Sequence, residues 1–242
     1  MTNTDKIFAL LIGKKNSTGF PGKNIMKING LPSCEYGFQI AKKLNLKNIF
    51  VSTDCPTISE IGSKYSAHWI KRPENLATPE SLTEDVLVHA YNEMVKIKGK
   101  PEIILLLFAN NPAISIELVQ KGIKKLTEDD AFDSAFSVSK YNMFSPTRAR
   151  KLVDNTIQSF IPLDLIGNVN SIRSSQGDVY FCDLSVQIIR SRVFENMKDG
   201  MQPFQWMGKK SFPLKNTYGF DIDEEWQKTA IEVWLKKNWK YE

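Results

Sequence analysis

The sequence has few of the residues from which most metal sites and covalent catalytic centres are built. Its 242 residues include three cysteines and two histidines. Cys34, Cys55 and Cys182 form no CxxC pair, so they indicate neither a zinc site nor a disulfide framework. His68 and His89 are too few for a histidine-based triad. We expect both to be structural or surface residues, although either could act as a lone base.

Long hydrophobic runs are also missing. The longest one, Ile103 to Ala109, is far shorter than the roughly 20 residues that a membrane-spanning helix needs, and it is typical of a buried strand. The first residues lack the charged and then apolar layout of a signal peptide. We therefore expect a cytoplasmic protein that does not bind membranes. Hydrophobic residues make up 42% of the chain, which is enough for the core of one α/β domain.

Negative charge is scarce near the N-terminus. Residues 1–50 hold eight lysines but only two acidic residues, Asp5 and Glu35, whereas the whole chain has a net charge of +5. Such a concentrated positive field indicates an anionic ligand. The C-terminal part lacks basic runs with interleaved aromatic residues, so a nucleoside triphosphate fits this charge better than a nucleic acid.

Apolar runs with strand and helix periods alternate along the chain. The predicted strands are residues 7–12, 49–53, 67–70, 102–108, 133–139 and 179–184. The predicted helices are residues 34–46, 56–65, 81–98, 115–126 and 224–237, the third of them with a capping box at Ser81 to Glu84. This order predicts an α/β fold with a doubly wound, mostly parallel sheet flanked by helices, which binds ligands at the carboxyl ends of its strands.

One region breaks this alternation. Residues 140–180 are polar, with scattered Pro, Asn, Ser and Arg, and follow no clean period. We interpret them as an irregular excursion from a single domain over residues 1–242, serving as a dimerisation arm or a lid.

The loop after the first strand, Gly13 to Asn24, is the most informative segment. It contains three glycines and three lysines but no acidic residue. Glycines let backbone N–H groups approach a phosphate, and lysines add positive charge. The loop matches neither the P-loop pattern, because Asn24 follows Gly22-Lys23 and Ser17 stands where the first glycine would be, nor the GxGxxG pattern. It predicts a phosphate-binding loop of another kind.

Six segments together resemble one known family. Lys14 to Asn24 resembles the signature loop of the acylneuraminate cytidylyltransferases, which are CMP-sialic acid synthetases and their relatives. The other five follow in the same order: Val51–Asp54, Arg72–Ala77, Asp133–Val138, Gln176–Tyr180 and Phe220–Asp223. The resemblance implies a Rossmann-like nucleotidyltransferase architecture and Mg²⁺-dependent transfer of CMP from CTP to an acidic sugar or related acid, with release of pyrophosphate. It also implies a homodimer, and no nucleic-acid partner.

The resemblance assigns roles to individual residues. It places the triphosphate on Lys14, Ser17, Gly19, Lys23 and Asn24, and the base and ribose on Arg72, Ser81 and Thr83. It gives magnesium binding to Asp221 and Asp223, and it makes Lys14, Lys23 and Asp221 the catalytic residues. Side chains two apart on an extended chain face the same way, which agrees with a shared metal. Asp223 could instead only cap the last helix, and Ser81 only the third.

The departures from the family pattern fall mainly on the acceptor side. Phe108 stands where a glutamine commonly helps to bind the acceptor, and Ile114 where an arginine commonly stands. Lys14 replaces an arginine and keeps its charge. We therefore expect a retained CTP site and an altered acceptor site that uses Phe108, Arg173 and Tyr180, so the acceptor need not be sialic acid.

Three other functions stay open at this point. The chain could be a catalytically altered cytidylyltransferase-like binding or regulatory protein. It could be a nucleic-acid-binding module that uses its basic N-terminal segment, with affinity that falls steeply with salt. It could also be a nucleotidyltransferase for another base or acceptor, or a glycosyltransferase with the same sheet.

Overall fold

The computed structural model describes residues 4–16 and 19–239. Its strands are β1 Ile7–Ile12, β2 Lys27–Ile28, β3 Leu31–Pro32, β4 Asn48–Thr53, β5 His68–Lys71, β6 Ile103–Phe108, β7 Ser134–Lys140, β8 Arg150–Val153, β9 Thr156–Ser159, β10 Tyr180–Arg190 and β11 Ser211–Asn216. Its α-helices are α1 Ser33–Lys43, α2 Pro56–Ser63, α3 Thr83–Lys98, α4 Ile116–Glu128, α5 Ser191–Glu195 and α6 Glu225–Asn238.

Seven strands form one sheet in the order β11-β7-β10-β6-β1-β4-β5. The pairs β1–β4, β1–β6, β4–β5 and β7–β11 are parallel, and β10 runs antiparallel to both β6 and β7. The prediction of a mostly parallel sheet is therefore confirmed.

Helices cover both faces of this sheet. Buried residues of α1, α2, α4 and α6 form one core layer, and those of α3 and α5 form the other. In β1, Ala9 and Leu11 belong to the first layer, whereas Phe8 and Leu10 belong to the second. Because successive side chains of a strand point to opposite faces, a strand buried on both faces must be apolar at every position, as β1 and β6 are.

The sequence pattern identifies the cap of α4 but not those of α3 and α6. Ser115 caps α4, since its Oγ accepts a hydrogen bond from the Leu118 N–H at 3.3 Å. The capping box at Ser81 is wrong, because α3 begins one residue later, after Leu82, and Ser81 Oγ instead donates to the Asn75 carbonyl at 3.0 Å. Glu224, not Asp223, caps α6, so capping does not account for Asp223.

The irregular region predicted at 140–180 contains the hairpin β8–β9 and four short 3-10 helices. Its role as an arm or lid within one domain stays a prediction.

Strand β10 is longer than expected because an irregularity between Cys182 and Gln187, with Leu184 at φ 57°, lets it continue past the predicted end. Strand β11 was not predicted. It lies at the sheet edge, where a proline such as Pro213 is tolerated. No helix within the described part of the chain is long and apolar enough to cross a membrane.

The two-sided burial of the central strand gives a first prediction. Leu105 on β6 is 0% exposed, whereas Leu152 on the β8–β9 hairpin is 80% exposed. We expect Leu105→Ala to lower the free energy of unfolding by about 2–5 kcal/mol, because it opens a cavity in the core. Leu152→Ala should change it by no more than about 0.5 kcal/mol. Urea unfolding followed by tryptophan fluorescence measures both, and equal losses would contradict this account of the core.

Candidate functional site

A cleft of about 210 Å³ lies at the carboxyl ends of the parallel strands. The end of β1, the end of β6 and the segment after β5 all contribute to it, as expected for a sheet whose parallel strands end at one edge. It is lined by Ile12, Gly13, Lys14, Lys23, Asn24, Arg72, Leu76, Thr78, Ser81, Thr83, Val86, Phe108, Asn110 and Asp221. Eight residues predicted for the site therefore meet in one cavity: Lys14, Lys23, Asn24, Arg72, Ser81, Thr83, Phe108 and Asp221.

The loop after β1 is held in place at both ends. A β-carbon at Gly13 would lie 2.6 Å from the Ala109 Cβ, so only glycine lets β1 end this close to β6. Further along, the Asn24 side-chain amide donates to the Lys14 carbonyl at 2.8 Å, and the Lys15 N–H donates to Asp54 Oδ1 at 2.8 Å. These bonds hold the loop that places Lys14 and Lys23 on the cleft wall.

The remaining predicted loop residues differ in placement. A β-carbon at Gly19 would lie 3.7 Å from the Asp223 carbonyl oxygen, which places the loop against the acidic segment, residues 221–223. Ser17 lies outside the described residues, so its predicted contact with the triphosphate stays a prediction.

Two carboxylates approach the loop from the C-terminal part of the chain. Asp223 forms an ion pair with the Lys23 ammonium, across about 200 residues of sequence. The side-chain amide of Asn110 lies 3.2 Å from Asp221 Oδ2 and 3.5 Å from Asp223 Oδ1. The two carboxylates therefore face the same side, as their spacing in the sequence predicts.

Asp221 lies in an unfavourable environment for a charged carboxylate. Burial raises its pKa above the usual value of 3.8, and the negative charge of Asp223 raises it further, while Lys23 and the Asn110 hydrogen bond oppose the shift. Like charges held together by the fold would be relieved by a cation. Within residues 4–16 and 19–239, no cluster of three or more His, Cys, Asp or Glu side chains could hold a metal. Two carboxylates are donors of the kind that a hard cation prefers, and such an ion would take its other ligands from water and phosphate.

The wall of the cleft opposite the lysine loop combines one cation, Arg72, with hydroxyl and apolar groups. Arg72 is buried, and its guanidinium donates to the Ser52 carbonyl at 3.0 Å. Burial lowers the pKa of Arg72 to about 10, and the charge of Asp54 opposes that shift. Ser81 and Thr83 lie at the start of α3 and also line the cleft. This wall offers the few polar groups that orient a ligand and the apolar surface that excludes water.

The three predicted acceptor residues are not brought together. Phe108 lines the cleft, with its ring centroid 6.3 Å from that of Trp206. Tyr180 is the first residue of β10 and is 45% exposed. The centroid of its ring lies 6.0 Å from the Lys215 ammonium. Arg173 is exposed in the irregular region, where its charge helps to lower the pKa of Asp178. Neither Tyr180 nor Arg173 lines the cleft. Arg173 lies in the irregular region, and Tyr180 pairs with Lys140 of β7, which is not adjacent to β6 in the sheet.

Asn110 is a site residue that the sequence-based reasoning missed. It lies two residues after the end of the central strand and is 8% exposed. The signal that could have found it is a pair of asparagines, Asn110 and Asn111, at the carboxyl end of a buried parallel strand.

A second, larger cavity adjoins the cleft. We call it the outer groove; it measures about 1030 Å³ and includes Asp221 in its lining. Its most exposed apolar side chains are Met143, Phe144, Phe181, Tyr218, Trp226 and Val233. Asp221 therefore stands where a polar cleft and an apolar groove meet.

The sheet order and the position of the cleft define the class of α/β proteins that bind ligands at the carboxyl edge of a doubly wound sheet. Within that class the particular family is clear from sequence. A cytidylyltransferase family model matches residues 12–161, and the chain belongs to this family.

Several curated proteins are similar to the chain over part of their length. The N-acylneuraminate cytidylyltransferase of Oncorhynchus mykiss is 23% identical over 221 residues, which are 91% of this chain and 48% of that protein. That of Escherichia coli O18:K1:H7 is 26% identical over 160 residues, 66% of this chain and 37% of that protein. The chain therefore spans half or less of the length of these relatives.

Solved structures share the fold at lower identity. CMP:2-keto-3-deoxy-manno-octonic acid synthetase complexed with CTP superposes with a TM-score of 0.67 at 16% identity, over 96% of this chain and 99% of that one. The 4-diphosphocytidyl-2C-methyl-D-erythritol synthase of Anaerococcus prevotii gives 0.61 at 14% identity, over 96% and 97%. These similarities confirm the predicted architecture.

The raised pKa of Asp221 gives a second prediction. In the folded state its carboxyl binds protons more tightly than in the unfolded state, so its contribution to stability falls as pH rises above about 3.8. We expect Asp221→Asn, without added metal, to melt at a higher temperature than the native protein at pH 7. The difference should vanish near pH 4.

Asp178 supplies the matched control. Its hydrogen bond from Lys140 lowers its pKa, so Asp178→Asn should have the opposite sign, with a slight loss of stability at pH 7. Melting curves in EDTA between pH 4 and pH 7 measure both variants. A pH-independent effect of Asp221→Asn would contradict the electrostatic explanation.

Proposed function

We propose that this protein is a magnesium-dependent cytidylyltransferase that transfers CMP from CTP to an acidic sugar or related acid and releases pyrophosphate. The observation that carries the proposal is the meeting of Lys14, Lys23 and Asp221 in one cleft, with Asp223 paired to Lys23. Family membership supports the reaction type.

The chemistry requires a cationic site more than a nucleophilic side chain. An acceptor hydroxyl attacks the α-phosphorus of CTP in line with the leaving pyrophosphate, so no covalent enzyme intermediate forms. Lys14 and Lys23 bind the triphosphate and stabilise the charge that develops on the leaving group, and the backbone of the loop positions it. Arg72, Ser81 and Thr83 hold the base and ribose against the opposite wall.

Asp221 and Asp223 would hold Mg²⁺ beside the phosphates. When bound, the ion supplies positive charge that neutralises the phosphate oxygens and favours loss of the hydroxyl proton. Since Lys23 pairs with Asp223 in the protein alone, we expect the bound triphosphate to draw Lys23 away and leave the carboxylate for the metal.

The acceptor reaches the α-phosphorus from the side of Phe108 and Asp221. Phe108 offers an aromatic surface where related enzymes commonly have an amide, so the acceptor in this position packs against an apolar wall. We therefore propose an acid other than sialic acid itself as the natural acceptor.

A pyrophosphate-release assay tests the function directly. The purified protein is supplied with Mg²⁺, one of the four nucleoside triphosphates and a panel of acidic sugars. We expect release with CTP and at least one acid, and none without the acid. Thermal stabilisation by UTP, ATP or GTP in preference to CTP would indicate a nucleotidyltransferase for another base. Stabilisation by CTP without turnover would indicate a binding protein.

The loop lysines give the third prediction. We expect Lys14→Ala and Lys23→Ala each to lower kcat/KM for CTP by about 10²–10³-fold, since each removes one preplaced charge at the leaving group. Lys15→Ala is the matched control, because Lys15 is exposed and does not line the cleft. It should change kcat/KM by less than about threefold, the scale of a remote surface change. Equal effects at all three positions would reject a specific phosphate site.

We also propose that the protein is a homodimer through the outer groove. The six apolar side chains that define this groove are 38–68% exposed, and contiguous apolar surface of this kind usually marks an interface. The irregular region contributes Met143 and Phe144, and α6 contributes Val233, and we propose that a second copy covers all three.

A charge placed in the groove gives the fourth prediction. We expect light scattering after gel filtration to give twice the chain mass of 27.6 kDa for the native protein and that single mass for Phe144→Asp. Burying an unpaired carboxylate in an apolar interface is strongly unfavourable. Ile97→Asp, on exposed surface of α3 at the other face of the sheet, should remain dimeric. A monomeric native protein would contradict the proposal.

A further inference from the structure

One side chain contacts every part of the acidic segment. The side-chain amide of Asn110 lies 3.2 Å from Asp221 Oδ2, 3.2 Å from the Ile222 carbonyl oxygen and 3.5 Å from Asp223 Oδ1. The backbone adds a fourth bond, because the Ile222 N–H donates to the Asn110 carbonyl at 2.9 Å. An amide NH₂ group has two hydrogens, so these three acceptors share them.

The acidic segment has no regular structure of its own. Residues 220–223 belong to no helix or strand, and α6 begins only at Glu225. Ile222 is fully buried and anchors the segment in the core. On the side of the cleft, Asn110 contacts both carboxylates, whereas Lys23 forms its ion pair with Asp223. Asn110 lies two residues after the end of the central strand and is itself buried.

The chemical type of this residue matters as much as its position. An amide N–H donates to a carboxylate and reduces repulsion between two carboxylates without adding a charge. A lysine or arginine there would compete with a metal for the same oxygens. An aspartate would only accept hydrogen bonds and would add a third negative charge. A neutral donor holds the two carboxylates together and leaves their negative charge available to a cation.

We propose that Asn110 is the positioning residue of the metal pair, setting the separation and orientation of the Asp221 and Asp223 carboxylates before a divalent cation binds. This inference rests on the use of that pair for Mg²⁺ in the proposed function. In this role Asn110 acts through the two carboxylates.

Binding of Mn²⁺ alone, followed by electron paramagnetic resonance on metal-stripped protein, tests this role without turnover. We expect Asn110→Ala to weaken Mn²⁺ binding by about 10–100-fold, the usual effect of removing a residue that orients metal ligands. Asn111→Ala is the matched control. Asn111 is buried at the same strand end, but its amide donates to the Asp183 carbonyl at 3.4 Å and not to the acidic pair. It should bind Mn²⁺ like the native protein.

Asn110→Asp tests whether the side chain at position 110 faces the two carboxylates, because a merely structural role predicts lower stability with no extra response to Mn²⁺. In EDTA the third carboxylate should lower the melting temperature. Mn²⁺ should then raise it by more than it raises that of the native protein, with tighter Mn²⁺ binding. If Asn110→Ala does not fold, this comparison still decides the question.

Three results would overturn the inference: no Mn²⁺ binding by the native protein, equal Mn²⁺ binding by Asn110→Ala and Asn111→Ala, or no extra Mn²⁺ stabilisation of Asn110→Asp. The pyrophosphate assay on the native protein judges cytidylyl transfer separately. Turnover of CTP together with the second result would reject only the role of Asn110. The expected Mn²⁺ pattern without pyrophosphate release would keep that role and reject the transfer reaction.

Discussion

The close parallel pairing of β1 with β6 is the constraint on which the site depends. At their carboxyl ends the two strands are so close that Gly13 has no room for a β-carbon beside Ala109. Because of this contact, the loop that carries Lys14 and Lys23 and the turn that carries Asn110 begin side by side at the edge of the sheet. A bulkier residue at position 13 would separate them, and the lysines would then lose their common cavity with the carboxylates. The close packing of two strands that are buried on both faces thus determines the shape of the polar cleft at their ends.

The second constraint is electrostatic. The basic loop and the acidic segment are far apart in sequence, and each carries charge of one sign that would be unfavourable in a partly buried cleft. Their meeting at Lys23 and Asp223 reduces both costs. Asn110 supplies a neutral donor on the other side, yet the pKa of Asp221 remains raised. Residual strain of this kind is common where a site must also accommodate a charged ligand.

The sequence predicted the parts of the molecule that depend on local patterns. Continuous apolar runs identified β1 and β6, and the glycine and lysine loop identified one wall of the cleft. The spacing of Asp221 and Asp223 predicted their common orientation. What failed depends on contacts that no repeating pattern encodes. Ser81 has the pattern of a cap, but its hydroxyl bonds within the preceding turn. Strand β11 contains Pro213 and is recognisable only once its place at the sheet edge is known.

The acceptor side shows the same limit more strongly. Phe108 was located correctly because it ends a strand, and strand ends at the carboxyl edge converge in any doubly wound sheet. Arg173 and Tyr180 lie in or beside the irregular region, where no repeating pattern links sequence to position, and both lie away from the cleft. The family match also ends at residue 161, before the segment that brings Asp221. The proposed nucleotide half of the site is therefore built from elements that follow general rules of the fold. On the proposed acceptor side, Phe108 lines the cleft whereas Arg173 and Tyr180 do not, so a substitution at Phe108 would alter that wall without disturbing the sheet.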